Sequence, residues 1–507
     1  MNRRSFIKRT QVAGAGILLS ATNASAQSRS GSGAKGVDKG IRNILLLFAD
    51  QHRQDCVGCY GNPVVRTPNL DRLARNGIRF TNAFTPAPVC TPARACRETG
   101  QWAHKHRLIY NGNQFGGLNE PDPKTRFFSV SLKEKGWQLS SIGKWHIGTA
   151  KNKPSAYGYD EEVFYPGYGY PSDHPHYLNY LKTQGVDGFR LLQEIRDPSG
   201  LRPYAGLQEG PQSASIPAYL ANQTIDTIKR FARNDHPFFI GCNFWGPHAP
   251  FNITRKHYEM YDGANIKPWP NFDCDLSDKP GVITRYGEYW KTSWFTRENL
   301  PMLIGKGYGY ISLIDEEIGR ILKALEEVGE LDRTLILYTV DHGASDGSYR
   351  YWDKGFGMYD CIIRIPMIAS HPSIRPGVSE TFVSLIDLAP TFLELADCQI
   401  PEGTDGLSLL PVLRGGSLPG RDEHIITESF GHQRPFYQRM VRTKHTKYIF
   451  NPEDFDEFYD LDADPWETHN IIDRVDKTTL KRNREILLQW IKDTKDPLLQ
   501  WAGSVLT

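Results

Sequence analysis

The chain predicts an α/β fold: a large domain with a central, mostly parallel or mixed sheet flanked by helices, then a smaller C-terminal α+β domain with a short antiparallel sheet and a terminal helix. Three observations lead there. Short continuous apolar runs end in a charged or imidazole group, as in "NILLLFAD" (43–50), "FFIGCNFWGPHAP" (238–250) and "TLILYTVDHG" (334–343), which is how buried parallel strands read. Helical periodicity lies between such runs, so strands alternate with helices. From roughly residue 420 the pattern changes to strands separated by turns.

The elements follow in order. "MNRRSFIKRT" carries Arg3 and Arg4, a short apolar run "VAGAGILLSA" follows, and "NASA" ends at Ala26. Basic start, short apolar middle and an A-x-A-like end make residues 1–26 a cleaved signal, and the twin arginines resemble a Tat signal. The run is too short to span a bilayer, so stable membrane insertion is not expected and the location is periplasmic or secreted. Residues 27–40, rich in Ser, Gly and Lys, form a flexible leader. "PNLDRLARNGI" (68–78) has helical spacing with a Gly stop. "SLKEKGWQLSSIGKWH" (131–146) repeats helix then strand. Ile311, Ile314, Ile318, Ile321 and Leu325 share one helical face. "HIITESF", "RMVRTKHTKYIFN" and "EFYDLDADPWE" are the late strands, and "KTTLKRNREILLQWIKDT" is the closing amphipathic helix. The large domain is placed at 41–415 and the C-terminal subdomain at 416–507.

Composition narrows the function. With 507 residues, the chain exceeds the ~250–300 at which single cores stop growing. Sixty Lys and Arg against 58 Asp and Glu leave a formal charge of +2, which argues against a nucleic-acid partner. Eight cysteines in a chain this long do not form a disulfide framework. Cys56 and Cys59 lack a second pair to complete a zinc site, and read as half-buried side chains or a local bridge. Cys242, Cys274, Cys361 and Cys398 read as packing.

The polar groups fall in a pattern. Asp50, Lys144, His146, His248, Asp341 and His342 all come at or just past the C-terminal end of an expected strand, the edge at which open α/β sheets bind ligands. Two segments, about 150–215 and 262–300, read as aromatic insertions. Loops of that kind either wall a binding site or pack for stability. Tyr168, Tyr170, His174 and Trp290 are the candidate substrate contacts there.

"CTPAR" (90–94) resembles the Cys-x-Pro-x-Arg core of type I sulfatases, members of the alkaline-phosphatase superfamily. The same family order continues through "LFADQ", the Thr-Gly at 99–100, "IGKWHIG", "GPHAPF", "VDHG" with "DKG" beyond it, "VSLIDLAPTFLEL" and "FYDLDADPWET", spanning about 41–470. The resemblance implies that Cys90 is oxidised to formylglycine (3-oxoalanine) by a formylglycine-generating enzyme, and that the aldehyde hydrate is the nucleophile. It implies one Ca²⁺ held by Asp50, Gln51, residue 90, Asp341 and His342. Arg94 would fix metal-bound oxygens and residue 90. Lys144 and Lys354 would hold sulfate oxygens. His146 would take a proton from the sulfated hydrate, and His248 would donate to or bind the leaving oxygen. His106 lies near a histidine common in the family, or is a surface residue.

The chemistry fits those residue types. Sulfate ester hydrolysis develops negative charge on the leaving oxygen, so its site needs a hard cation, cationic side chains and an acid. Two features depart from the pattern. Gln51 replaces a second Asp, which lowers the charge of the metal shell or makes Gln51 a strand-end side chain with no ligand role. "ACRE" (95–98) puts Cys96, Arg97 and Glu98 where the family is usually apolar. The reading is a sulfuric ester hydrolase acting on a sulfated carbohydrate, since aromatic faces stack on sugar rings. The alternatives are a phosphomonoester or phosphonate-ester hydrolase of the same superfamily, and a catalytically silent polysaccharide-binding homologue.

Overall fold

Three neighbouring parallel strands form the centre of the molecule, and every residue in them is buried: Asn43–Asp50, Phe238–Pro247 and Thr334–Val340. Continuous apolar sequence gives this result because helices cover both faces of the sheet. The computed structural model describes residues 40–112, 118, 120–122, 124–148, 153–165, 171–421 and 423–506. Residues 1–39, with the signal, Arg3 and Arg4 and all but the last residue of the leader, and the pair Tyr168 and Tyr170 lie outside the described residues.

The full sheet has eight strands in the order Gly377–Ser379, Gly77–Phe80, Met367–Ser370, Thr334–Val340, Asn43–Asp50, Phe238–Pro247, Gln138–Lys144, Glu161–Tyr165. From Thr334–Val340 to Glu161–Tyr165 all neighbours are parallel. Met367–Ser370 runs antiparallel between Thr334–Val340 and Gly77–Phe80, which makes the sheet mixed. Helix Leu300–Glu327 crosses this layer with Ile311, Ile314, Ile318, Ile321 and Leu325 buried, as their spacing predicts.

Local departures from the sequence reading have physical causes. Gly77 does not stop a helix; helix Pro68–Arg75 ends at Asn76, and Gly77 opens the next strand. A Cβ there would lie 2.2 Å from the Ala369 carbonyl oxygen, so the glycine serves strand approach. The aromatic insertions contain regular structure. Leu191–Arg196 and Pro203–Gln208 form a hairpin joined in parallel by Phe251–Thr254, and Gly281–Trp290 is a helix. Leu191–Arg196 is an edge strand with largely exposed side chains, so its sequence shows no buried alternation.

The C-terminal sheet is antiparallel and in chain order: His424–Gly431, Pro435–Thr443, Thr446–Phe450, Glu457–Asp460. Helix Lys477–Thr494, capped by the Asp476 side chain accepting from the Thr479 amide, brings Leu487 and Ile491 into a core with Phe430, Val441 and Tyr448. All eight cysteines are free thiols, so Cys56 and Cys59 are not bridged. Among the described residues no helix is long and apolar enough to cross a membrane.

Candidate active site

Four adjacent parallel strands deliver their C-terminal ends to one place. Asp50 closes its strand, Lys144 closes the strand Gln138–Lys144, His248 follows Phe238–Pro247, and Asp341 and His342 follow Thr334–Val340. The parallel register puts those ends on the same sheet edge. Helix Cys90–Thr99 lies against this edge with all ten residues buried, and Cys90 is its first residue.

Arg94, one turn along that helix, holds the site together. Its Nε donates to Asp341 Oδ2 at 3.0 Å, one terminal nitrogen donates to Asp50 Oδ2 at 2.7 Å, and the other donates to the Lys144 carbonyl at 2.7 Å. The planar guanidinium therefore ties three strand ends to the Cys90 helix. Asp341 Oδ1 also accepts from the amides of Gln51 and His342 at 3.0 Å each. The polar stretch 96–98 finds partners within the core: Arg97 pairs with Glu98 and donates to Asn243 at 3.0 Å, leaving its Nε without one among the described residues, while Tyr159 donates to Glu98. His106 is fully buried beside Cys96, with its Nε2 3.3 Å from the thiol, and is not a surface residue.

Around Cys90 the charge is uneven. Its Sγ lies 3.2 Å from His342 Nε2 and 3.8 Å from Lys144 Nζ. Lys144 Nζ is 2.6 Å from Asp50 Oδ2 and sits over the Trp245 ring. Burial alone would push the thiol up, but Lys144, Lys354 and His342 hold it well below the usual thiol range. Burial and the Cys90 charge raise Asp50, yet Lys144 and Arg94 bring it below the ordinary carboxylate range. Burial and the neighbouring Asp50 raise Asp341. Burial lowers His342, but Asp341 and Cys90 push it up to about 9. Burial brings His146, which hydrogen-bonds the Cys90 side chain, down to about 4.

Lys354 completes the ring from the far side. Its Nζ donates to Gln51 Oε1 at 3.1 Å and to His248 Nε2 at 2.6 Å, and pairs with Asp353 Oδ1 at 2.9 Å. Gln51, His146 and Asp353 all have left-handed backbones, with φ of 59°, 53° and 82°. Such conformations cost about 1–3 kcal/mol each and cluster where a site over-determines them.

The donor set fits a divalent cation. One ligand atom from each of Asp50, Cys90, Asp341 and His342 lies within 4.8 Å of the others, and all four residues are buried. His342 Nδ1 is engaged by the Gly343 carbonyl, which leaves Nε2 facing the cluster.

The structure thus brings Asp50, Gln51, Cys90, Arg94, Lys144, His146, His248, Asp341, His342 and Lys354 into one connected group. His174 instead caps helix Pro175–Thr183, its ring accepting from the His176 amide. Trp290 is half-buried in an aromatic cluster with Tyr286 and Tyr289, beneath Arg202. Sequence reasoning missed Asp353, Tyr286 and His432, which stand behind Lys354. Asp353 was adjacent in "DKG", but nothing in sequence spacing joins it to residues 286 and 432.

Comparison with known proteins agrees. The family described as Sulfatase matches residues 42–398, and that described as N-sulphoglucosamine sulphohydrolase, C-terminal, matches residues 347–493. The uncharacterized sulfatase YidJ of Escherichia coli is 30% identical over 481 residues, covering 91% of this chain and 89% of its own. An N-acetylglucosamine-6-O-sulfatase of Bacteroides thetaiotaomicron is 27% identical, covering 89% and 86%. A phosphonate monoester hydrolase of Silicibacter pomeroyi shares the fold with a TM-score of 0.74 at 22% identity, covering 89% of this chain and 94% of its own. The chain belongs to the sulfatase family and is a sulfuric ester hydrolase.

Proposed function

We propose that this enzyme hydrolyses sulfate monoesters of a sulfated carbohydrate, with Cys90 matured to formylglycine by a formylglycine-generating enzyme and its hydrate as nucleophile. The observation that carries the reading is Cys90 at a helix start, ringed by Arg94, Lys144, Lys354, His146 and His342 at one sheet edge. A Ca²⁺ ion bound by Asp50, Asp341, His342 and residue 90, with Gln51 as a further donor, would supply Lewis acidity toward a sulfate oxygen.

The chain's own residues do the rest. Lys144 and Lys354 present ammonium groups to a tetrahedral anion from two sides and offset the charge that develops on it. Arg94 orients Asp50 and Asp341 and helps hold Asp50 ionised. His146, held neutral by burial, accepts a proton at the residue-90 side chain. His248 directs Nδ1 at the Ala249 carbonyl and Nε2 at Lys354, so this pair serves the leaving oxygen. We read 41–415 as the catalytic domain, 416–507 as its C-terminal subdomain, and 1–26 as a Tat-type signal sending the enzyme to the periplasm or outside the cell. Tyr168, Tyr170, His174 and Trp290 remain the candidate sugar contacts.

A rate screen over sulfated mono- and oligosaccharides, an aryl sulfate and the matching phosphate and phosphonate esters tests this reading. Fastest turnover on a sulfated sugar is expected. The phosphonate monoester hydrolase fold favours one alternative, and faster turnover of phosphate or phosphonate esters than of every sulfate ester would establish it.

A further inference from the structure

The C-terminal sheet packs against the loop that carries Lys354. His432 follows strand His424–Gly431, is 2 % exposed, and lies against the Lys354 loop. A Cβ on Gly355 would sit 2.3 Å from the His432 Cβ, so glycine is required for this approach. Gly355 has φ +94°, and its carbonyl accepts from the Ser429 hydroxyl at 3.1 Å, which fixes the loop to the same strand.

The polar atoms then form a triangle behind Lys354. His432 Nδ1 is 2.6 Å from the Tyr286 hydroxyl and 3.3 Å from Asp353 Oδ2, and the hydroxyl is 2.9 Å from the same Oδ2. Asp353 Oδ1 is 2.9 Å from Lys354 Nζ, and Lys354 reaches Gln51 and His248. The hydroxyl has one hydrogen, and the carboxylate of Asp353 only accepts. Tyr286 therefore donates to Asp353, and His432 Nδ1–H faces both the Tyr286 oxygen and Asp353 Oδ2. Both groups thus bear on the same carboxylate oxygen. Asp353 itself has a left-handed backbone that these contacts hold in place.

We propose that His432 and Tyr286 are positioning residues: through Asp353 they aim the Lys354 ammonium at the substrate anion, so the C-terminal sheet contributes to turnover as well as to folding. The proposal rests on the reading that Lys354 holds that anion. None of His432, Tyr286 and Asp353 touches Cys90 or the candidate cation ligands in the contacts described above; their effect passes through Lys354.

The test uses the full-length enzyme, an aryl sulfate such as 4-nitrophenyl sulfate, and inorganic sulfate as a competitive probe of the anion site. Tyr286→Phe removes one oxygen and keeps the ring. It and His432→Leu should each lower kcat/KM and weaken inhibition by sulfate about tenfold, the size expected when a hydrogen bond to a charged group is lost. The double variant should lose less than the product of the two single losses, since both residues touch each other and act through Asp353. His432→Asn, which offers an N–H near the Nδ1 position, should recover most of the loss at unchanged Tm. If Lys354→Ala is crippled while Tyr286→Phe and His432→Leu keep wild-type kcat/KM and sulfate inhibition, the positioning role is overturned. Effects that multiply in the double variant, or no recovery with Asn, also overturn it. If Lys354→Ala itself is unimpaired, the underlying anion reading fails instead.

Discussion

Two buried ionic clusters in this molecule look alike by composition and differ in what they can do. One surrounds Cys90. The other joins His104, Glu428, Arg439 and Asp496 beneath the C-terminal sheet, where His104, Glu428 and Asp496 also lie within metal-ligand distance of one another. In the second cluster Arg439 is saturated. It pairs in two places with Asp496 at 2.6 and 3.1 Å, donates to the Ser429 and Gln438 carbonyls, and lies 3.7 Å from Glu428. His104 answers Glu428 with Nδ1 at 2.8 Å and the Thr494 carbonyl with Nε2 at 3.2 Å. The cation that balances these acids is the guanidinium, so this cluster holds structure together.

The Cys90 cluster is not closed in that way. Arg94, Lys144 and Lys354 are paired with Asp50, Asp341 and Asp353, yet Lys144, Lys354 and His342 also hold the Cys90 thiol low, and three neighbouring backbones are strained. Burial and mixed charge therefore do not mark a functional site. A buried thiol drawn down by surrounding cations, beside strained backbone at a sheet edge, does.

Substitutions should separate the two clusters. Cys90→Ala should lower the rate by about 10³-fold or more while the protein stays folded, because a nucleophile is lost and no ion pair is broken. Exhaustive chelation should remove most activity, and elemental analysis before treatment should find one divalent cation per chain; full activity with no metal would show that the acidic cluster works without one. Arg439→Ala should act on stability, costing about 3–5 kcal/mol because buried carboxylates lose their partner. Its kcat per folded molecule should change little, and a folded but inactive protein would merge the two clusters into one.

The smallest expected effect is a pH dependence. Burial lowers His104, but the Glu428 charge beside it raises it above its ordinary 6.5. A raised folded-state pKa stabilises fully below the unfolded value and is lost as pH rises through the folded one. The stability gap between the wild type and His104→Gln should therefore be largest below pH 6.5 and shrink on the alkaline side. A gap that grows with pH would reverse the assignment.

One side of this contrast, the Cys90 site, was legible in the sequence, for a physical reason. Buried parallel strands are continuous apolar runs, so the polar residue that ends each one stands out, as Asp50, Lys144, His248 and Asp341 do. A parallel sheet then carries those ends to one edge without further information. What the sequence hid depends on contacts between distant segments. Nothing local marks His432 as a neighbour of Tyr286, or Arg439 as the partner of Asp496. Gly77 resembled a helix stop because its real cause, the Ala369 carbonyl, lies on another strand. Arg97 and Glu98 depart from an apolar pattern because Asn243 and Tyr159, from distant segments, lie beside them.

The central claim is that the charge around Cys90 serves a nucleophile made from that residue. Mass spectrometry of the peptide carrying residue 90, taken from active enzyme, tests it most directly. The account predicts loss of the thiol sulfur and a carbonyl that reacts with hydrazide, in proportion to specific activity. A fully active preparation in which residue 90 is only unmodified cysteine would contradict it.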